Sequence, residues 1–302
     1  MAGNAMTVKR SSGVKMKFNI KSRRKENRVA WVVVYIIMVA LVAFTSLPII
    51  YLVVTAFKPI DELFIYPPRF FVKNPTLENF SDLLRGLSSS EIPFIRYVFN
   101  SLFTTIVVVS GTVIISSMGA YGLTKQKIPF GNLLFNLILA ALMFSPHVTR
   151  IPTYLVVNKL GILDTYWALI IPALAYPYNM FLMKQFIQQF PNELLESARI
   201  DGAKEFSVFL RILMPNIKPA WSTLIVLSFV LNWNDTIAAL IYTQRQSMKV
   251  LPLAINLIAG QGLSRQGALM AATFIMTVPT ILIFLLMQNN VLKTMVHSGI
   301  KA

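Results

Sequence analysis

An all-α membrane protein of six transmembrane helices is the fold class that the sequence predicts, with a cytoplasmic helix-turn-helix loop between spans four and five. Three observations carry it. Of the 302 residues, 55% are hydrophobic and only 13% charged, against ~25% charged in a typical soluble domain. The apolar residues gather into six runs, at 29–56, 97–124, 130–149, 166–189, 219–242 and 267–291, each close to the roughly 20 residues that cross a bilayer as a helix. With the N-terminus placed inside, 18 of the 28 Lys and Arg fall on one side of these runs, the bias that marks a cytoplasmic face. Both termini are then cytoplasmic.

Residues 1–28 form a basic tail, from Lys9 to Arg28, with Glu26 its only acid. Such a tail is held near anionic lipid. The net charge of +16 is therefore read as a membrane-lipid preference, with no nucleic-acid partner. The apolar run after the tail is too long for a signal-peptide core and carries no small-x-small cleavage site. The six-helix body then spans 29–291, with the 191–219 loop inserted, and 292–302 is a cytoplasmic tail. The outer segment 57–96 is proline-rich. It could receive an extracellular binding protein, although a solvated loop is the default. Within it Leu77, Phe80, Leu83 and Leu84 have the spacing of a short amphipathic helix. Residues 125–129 make a tight turn at Pro129.

Span three ends in Phe-Ser-Pro-His-Val-Thr-Arg-Ile-Pro, where Pro146 and Pro152 distort the helix and free backbone groups. Span four carries Pro172 and Pro177, with Tyr176 and Tyr178 either facing a pathway or sitting in an aromatic belt. Span five holds Asn232, Trp233, Asn234 and Asp235. At 1.5 Å per residue from Pro219, Asp235 lies about 24 Å up that helix. A carboxylate there either faces protein or water, as a functional group, or snorkels to the interface. The outer loop before span six, with Gly260, Gly262 and Gly267, reads as flexible.

The polar stretch 191–219, PNELLESARIDGAKEFSVFLRILMPNIKP, interrupts the apolar pattern. Pro191 ends the helix before it, and Asn192 is a favourable N-cap. Glu193 suits the positive end of the helix dipole. Leu194, Leu195 and Ala198 share one face at helical spacing. Gly202 permits the left-handed conformation that stops a helix. Phe206, Phe209, Leu210 and Leu213 then recur at i, i+3, i+4 and i+7, as a second amphipathic helix. On periodicity alone this is equally an interfacial helix lying on lipid headgroups.

The same stretch resembles the EAA loop of ABC-importer permeases, E-A-A, three residues, G, nine residues, I-x-L-P. Glu196, Ser197 and Ala198 match its start with Ser for the first Ala. Gly202 falls at the family spacing, and Ile212, Met214 and Pro215 match its end with Met for Leu. The Trp-Asn-Asp run in span five is similar to one in carbohydrate-type importer permeases. The chain thus resembles the second permease subunit of maltose-type importers in a bacterial cytoplasmic membrane. The resemblance implies a heterodimer with a second permease, two ATPase subunits that hold ATP and Mg, and an extracellular solute-binding protein. It implies that ATP closes the ATPase dimer, which drags the 193–202 helix and opens the spans outward. Glu196 would contact the ATPase surface; Leu194, Leu195 and Ala198 would be buried in its groove; Gly202, after Asp201, would set the turn. Ile212 and Pro215 would fix the second helix against the spans. In maltose-type permeases the last outer loop reaches into the binding protein. The C-terminal tail, with His297, Ser298, Gly299 and Lys301, resembles a tail that enters the ATPase dimer.

Several chemistries are excluded from the chain. It has no cysteine, hence no disulfide and no thiolate metal site. It has no Gly-Lys dipeptide and so no phosphate-binding Walker loop, no His-Glu-x-x-His and no Gly-x-Ser-x-Gly elbow. Catalysis, cofactor and metal are not expected on this chain. Two other classes remain: an ion-coupled secondary transporter with Asp235 as relay, and a scaffold anchored to lipid by the amphipathic loop. Against the first, the halves show no inverted repeat.

Overall fold

The computed structural model describes residues 28–86, 92–126, 128–262 and 265–299. The tail 1–27, Lys127 and Lys301 lie outside the described residues, as do the side chains of His297 and Ser298. The chain divides into two compact units, 1–49 and 50–302. The described part of the first is one apolar helical stretch, the beginning of α1 (Arg28–Ala56). The described part of the second is built of helices and their connections, and no strand occurs among the described residues.

Among the described residues, three uninterrupted helices are long and apolar enough to cross a membrane. They are α1, α4 (Phe94–Lys125) and α15 (Gln266–Gly299). Between them come the short α2 (Ile60–Leu63) and α3 (Glu78–Gly86), then α5 (Gly131–Leu142), α6 (Pro146–Lys159), α7 (Tyr166–Leu174) and α8 (Pro177–Gln188). The polar loop follows as α9 (Asn192–Ile200), α10 (Glu205–Ser207), a π-helical stretch Val208–Leu213 and α11 (Met214–Asn216). After it come α12 (Lys218–Trp233), α13 (Thr236–Tyr242) and α14 (Leu251–Ala259).

The middle spans are broken: span three at Pro146, where distortion was expected, while Pro152 lies inside α6, and spans four and five where the apolar runs read as continuous. The run 130–149 breaks after Leu142, and α6 leaves α5 at 112°. Ser145 caps α6, its hydroxyl accepting from the His147 N–H at 3.4 Å, and Pro146 has no N–H to continue α5. The run 166–189 breaks before Pro177 for the same reason. The run 219–242 breaks at Asn234, and Asp235 caps α13 by accepting from the Ala238 N–H at 3.0 Å. Among the described residues two bent pairs qualify as broken spans, Gly131–Leu142 with Pro146–Lys159 and Glu205–Asn216 with Lys218–Trp233, the latter bent by 79°; counting each as one span gives at most five by length and composition.

Among the described residues, α4 and α12 run through both of the two larger buried clusters. In one, Phe94 and Tyr97 of α4 meet Phe229 and Trp233 of α12, Leu251 of α14 and Ala271 of α15. In the other, Ala120 and Tyr121 of α4 meet Met183 and Ile187 of α8, Leu195, Val208, Leu213 and Leu224. The buried face of α4 is rich in small polar residues, among them Ser101, Thr105, Thr112 and Ser116, which let helices approach closely in an apolar solvent. Asn100 is buried there with its hydrogen bonds made: it donates to the Ser247 and Lys249 carbonyls at 2.8 Å and accepts from the Tyr166 hydroxyl at 2.8 Å.

The outer loop read as flexible is also different. Its apolar half is α14, whose Leu251, Leu253, Ala254 and Ile258 are buried. An all-round apolar run with Pro252 in its first turn is a buried helix, and the glycines were given too much weight. Gly267 serves a close approach: a Cβ there would stand 2.1 Å from the Asn79 Oδ1 on α3. The short helix expected near Leu83 exists as α3, with Leu83 buried and Leu77 and Leu84 exposed.

Candidate functional site

The polar loop is a pinned structure. Pro191, not Asn192, occupies the N-cap of α9, and Asn192 is its first helical residue. The Asn192 side chain instead accepts from the Lys125 ammonium at 2.7 Å, and the same ammonium donates to the Phe190 carbonyl at 2.6 Å. At the other end the Ala203 N–H reaches back to the Ala198 carbonyl and the Gly202 N–H to the Arg199 carbonyl, both at 3.0 Å. This pair of bonds with Gly202 at φ +83° is the glycine stop expected from sequence.

Which face of α9 is open differs from expectation. Leu195 is 1% exposed and packs in the chain's own cluster with Met183, Ile187 and Val208. Its burial there is worth roughly 1.5–3 kcal/mol, so it anchors α9 to this chain and is not free to enter a partner's groove. Ala198 packs beside it, half-buried. The open face carries Leu194, Glu196, Ser197 and Asp201, together with Ile200, which is 87% exposed and which the sequence reading missed. An isoleucine two residues before Gly202 and outside the Leu194–Leu195–Ala198 stripe was the available signal. The second stripe also shifts. The π turn from 208 to 213 rotates the buried face onto Val208, Phe209 and Leu213, and leaves Phe206 and Leu210 exposed. A constant 3.6-residue period cannot anticipate a wider turn. Ile212 packs against the buried cluster, while Pro215 is exposed in α11.

A polar network ties the loop to the end of α4. The Glu205 carboxylate accepts from the Tyr121 hydroxyl and from Gln126 Nε2, both at 2.6 Å, and from Arg199 Nε at 2.7 Å. The Arg199 guanidinium and the Tyr121 hydroxyl hold Glu205 below its ordinary carboxylate value, and Glu205 in turn raises Arg199. Tyr121, Gln126 and Lys125 lie far away in sequence, and nothing local marked them.

The second feature is a cavity of about 1090 Å³. All three helix breaks open onto it: Phe144 and Pro146 from the first, Ala175, Tyr176 and Pro177 from the second, Asn234 and Asp235 from the third. Irregular backbone at membrane depth is tolerated where it faces protein or water, so the breaks and the cavity explain one another. Asp235 pairs with Arg150 Nη2 at 3.2 Å across it. Buried polar atoms without a hydrogen-bond partner, Arg150 Nε, Asn179 Oδ1 and Ser228 Oγ, belong to residues of its wall. Such groups cost free energy unless water or a polar guest satisfies them.

Of the residues singled out for a pathway, Tyr176, Asn232, Asn234 and Asp235 line the cavity. Trp233 does not. It is 1% exposed, stacks on Phe229 at 5.4 Å, and donates its indole N–H to the Met276 carbonyl of α15 at 2.8 Å. It is a tie between α12 and α15, turned away because it lies one residue, about 100°, round the helix from Asn232. Tyr178 is not in the cavity wall either, and sits between Tyr176 and Phe181 with ring centres 6.4 Å from each. Arg150, Asn179 and Ser228 were missed: each is ordinary in its own stretch and gains meaning only when α6, α8 and α12 converge.

Residues 20–297 match the family described as the binding-protein-dependent transport system inner membrane component. The chain belongs to this family. Among relatives, protein LplC of Bacillus subtilis is 34% identical over 86% of this chain and 90% of its own length. The arabinooligosaccharides transport system permease protein AraQ of the same species is 29% identical over 84% and 90%. The crystal structure of a bacterial ABC transporter involved in the import of the acidic polysaccharide alginate has a chain that superposes with a TM-score of 0.76. It covers 88% of this chain and 97% of that one at 20% identity, a likeness of fold. An inner membrane component of a binding-protein-dependent system is a transport subunit that works with other ABC components. Membership favours the importer reading over the secondary transporter and the scaffold.

Proposed function

We propose that this inner membrane component is the permease subunit of a bacterial ABC importer that passes a carbohydrate by alternating access. The reading has six passes, three of them broken helices, with both termini and the 191–219 loop in the cytoplasm. Its partners are a second permease in a heterodimer, two ATPases that hold ATP and Mg, and an extracellular solute-binding protein. This chain itself contributes no catalysis. The observation that carries the reading is the pinned helix α9, which offers an open face beside a glycine stop at the EAA spacing.

In this reading Leu194, Glu196, Ser197, Ile200 and Asp201 meet the ATPase, while Leu195 and Ala198 fix α9 to the bundle. The same α4 that holds α9 through Tyr121 and Lys125 contributes Thr104 and Val108 to the cavity wall. The same α12 that packs under the loop with Ala220 and Leu224 contributes Ser228 and Asn232. A displacement of α9 is thereby carried along two helices to the wall of the cavity. There unpaired polar atoms and Tyr176 suit a guest rich in hydroxyls with apolar ring faces. Supporting the carbohydrate are the relatives' arabinooligosaccharide and alginate transport systems. Purification from the native membrane should bring an ATPase with the chain, and Ile200→Glu should release it while membrane insertion persists. Transport that runs with no ATPase present would overturn the reading.

A further inference from the structure

The segment that follows α1 turns its largest apolar side chains outward. It closes on itself, with the Thr76 N–H donating to the Phe57 carbonyl at 2.9 Å. Two of its polar side chains are buried, while Asp61, Arg69, Lys73 and Asn74 face out beside the apolar ones. Lys58 is 3% exposed, its ammonium donating to the Arg69 carbonyl. Asn79 is buried and donates to the Ala56 and Lys58 carbonyls at 2.9 and 2.7 Å. The Glu62 carboxylate accepts from the Lys73 and Asn74 N–H groups at 3.0 and 3.1 Å. The large apolar side chains point outward: Tyr66 is 93% exposed, Phe71 71%, and Ile60 and Phe64 are more than half exposed. A loop bathed in water takes the reverse arrangement, because each exposed aromatic ring leaves hydrophobic stabilisation unused.

We propose that residues 60–73 are a lipid-contact surface, seated in the headgroup region of the leaflet where α1 ends, with phospholipid as its occupant. Continuity decides between lipid and a soluble partner. The surface begins four residues after the apolar helix α1 stops at Ala56, so its rings lie at the depth where aromatic side chains collect in membrane proteins. Arg69 and Lys73 flank the Phe70–Phe71 pair and complement lipid phosphates, as basic residues do beside apolar ones on interfacial surfaces. The inner hydrogen bonds fix the backbone, so the rings are presented without further ordering on contact. The proposal rests on α1 crossing the bilayer and not on the identity of the cargo.

The chain has no cysteine, so single cysteines can carry a spin label on it, in the assembled transporter with its other subunits made cysteine-free. Tyr66→Cys and Phe71→Cys are labelled in phosphatidylethanolamine–phosphatidylglycerol vesicles, with Phe44→Cys in α1 as the lipid reference. Collisions with lipid-soluble oxygen should exceed those with a water-soluble nickel chelate several-fold at 66 and 71, as at 44. Three outcomes would overturn the proposal. Nickel dominating at 66 and 71 but not at 44 means a solvated loop. Protection from both agents that appears only when the binding protein is added means a protein-docking surface. Nickel dominating at 44 as well removes the spanning reading of α1 and this proposal with it. Transport activity of each labelled variant certifies that the complex is folded.

Discussion

Around α9 the residues proposed to couple to the ATPase are neighbours in the chain: Leu194, Glu196, Ser197, Ile200, Asp201 and Gly202 lie within nine residues. Around the cavity they come from four helices, with Arg150 on α6, Asn179 on α8, Ser228 on α12 and Asp235 at the head of α13. The first region is a small rigid device held to the bundle by Leu195 at its back and by Lys125 and Glu205 at its ends. The second is a space left where helices stop. Damage to the first should therefore disconnect the subunit from its motor and leave the bundle standing. Damage to the second should alter what the bundle accepts.

The largest effect is expected at Gly202. Valine there must adopt φ near +83°, which costs a β-branched residue about 1–2 kcal/mol or more. Gly202→Val should lower ATP-driven uptake in vesicles by at least about tenfold, of the order that such a cost converts to. Gly202→Asn, which tolerates this conformation, should keep most of it. Equal loss in both would mean that space, not backbone, is limiting, although nothing lies within 4 Å of a Cβ built there.

Next comes Glu205→Gln. It removes the charge that Arg199 and Tyr121 share and should lower the sugar moved per ATP hydrolysed several-fold, with hydrolysis itself retained. Because the folded carboxyl is held below its ordinary 4.5, the tie is present above that pH and is lost as pH falls through the lowered value. Protection of 199–205 against hydrogen exchange, taken relative to the intrinsic rate at each pH, should thus hold at pH 5 and fall only in stronger acid. Loss of that protection between pH 7 and 5 would contradict the network.

Asp235→Asn keeps an oxygen to cap α13 and breaks the pair with Arg150. It should shift KM for the cargo by a few-fold and leave the ATP dependence of transport unchanged. Abolished transport with normal assembly would revive the relay reading. Smallest is Trp233→Phe, which loses the bond to Met276 at a cost of about 1 kcal/mol and should lower thermal stability in detergent with uptake per folded complex unaffected. A change in cargo preference from that substitution would return Trp233 to the pathway.

The same contrast explains what was legible in the sequence. The glycine stop at 202, the helix before it and the three long apolar helices were all foreseeable, because each is written in consecutive residues. The wider turn at Val208–Leu213 was not, since apolar spacing assumes one period and the π turn changes it. Leu195 and Leu194 look alike in sequence; only the packing of α8 beneath α9 tells the anchor from the open face. Pro146 announced a distorted helix but not that its break meets those at Pro177 and Asn234. Arg150 could be partnered with Asp235 only after α6 folded back at 112°.

The stretch from 208 to 213 winds one residue more into its turn than an ordinary helix would. The count of residues between Gly202 and Pro215 is thus as much a part of the design as their identity. Hybrids that graft the loop from one relative onto the bundle of another must conserve that count. A single-residue deletion there would swing the segment after it by about 100°, presenting Leu213 to solvent while every individual side chain remained correct.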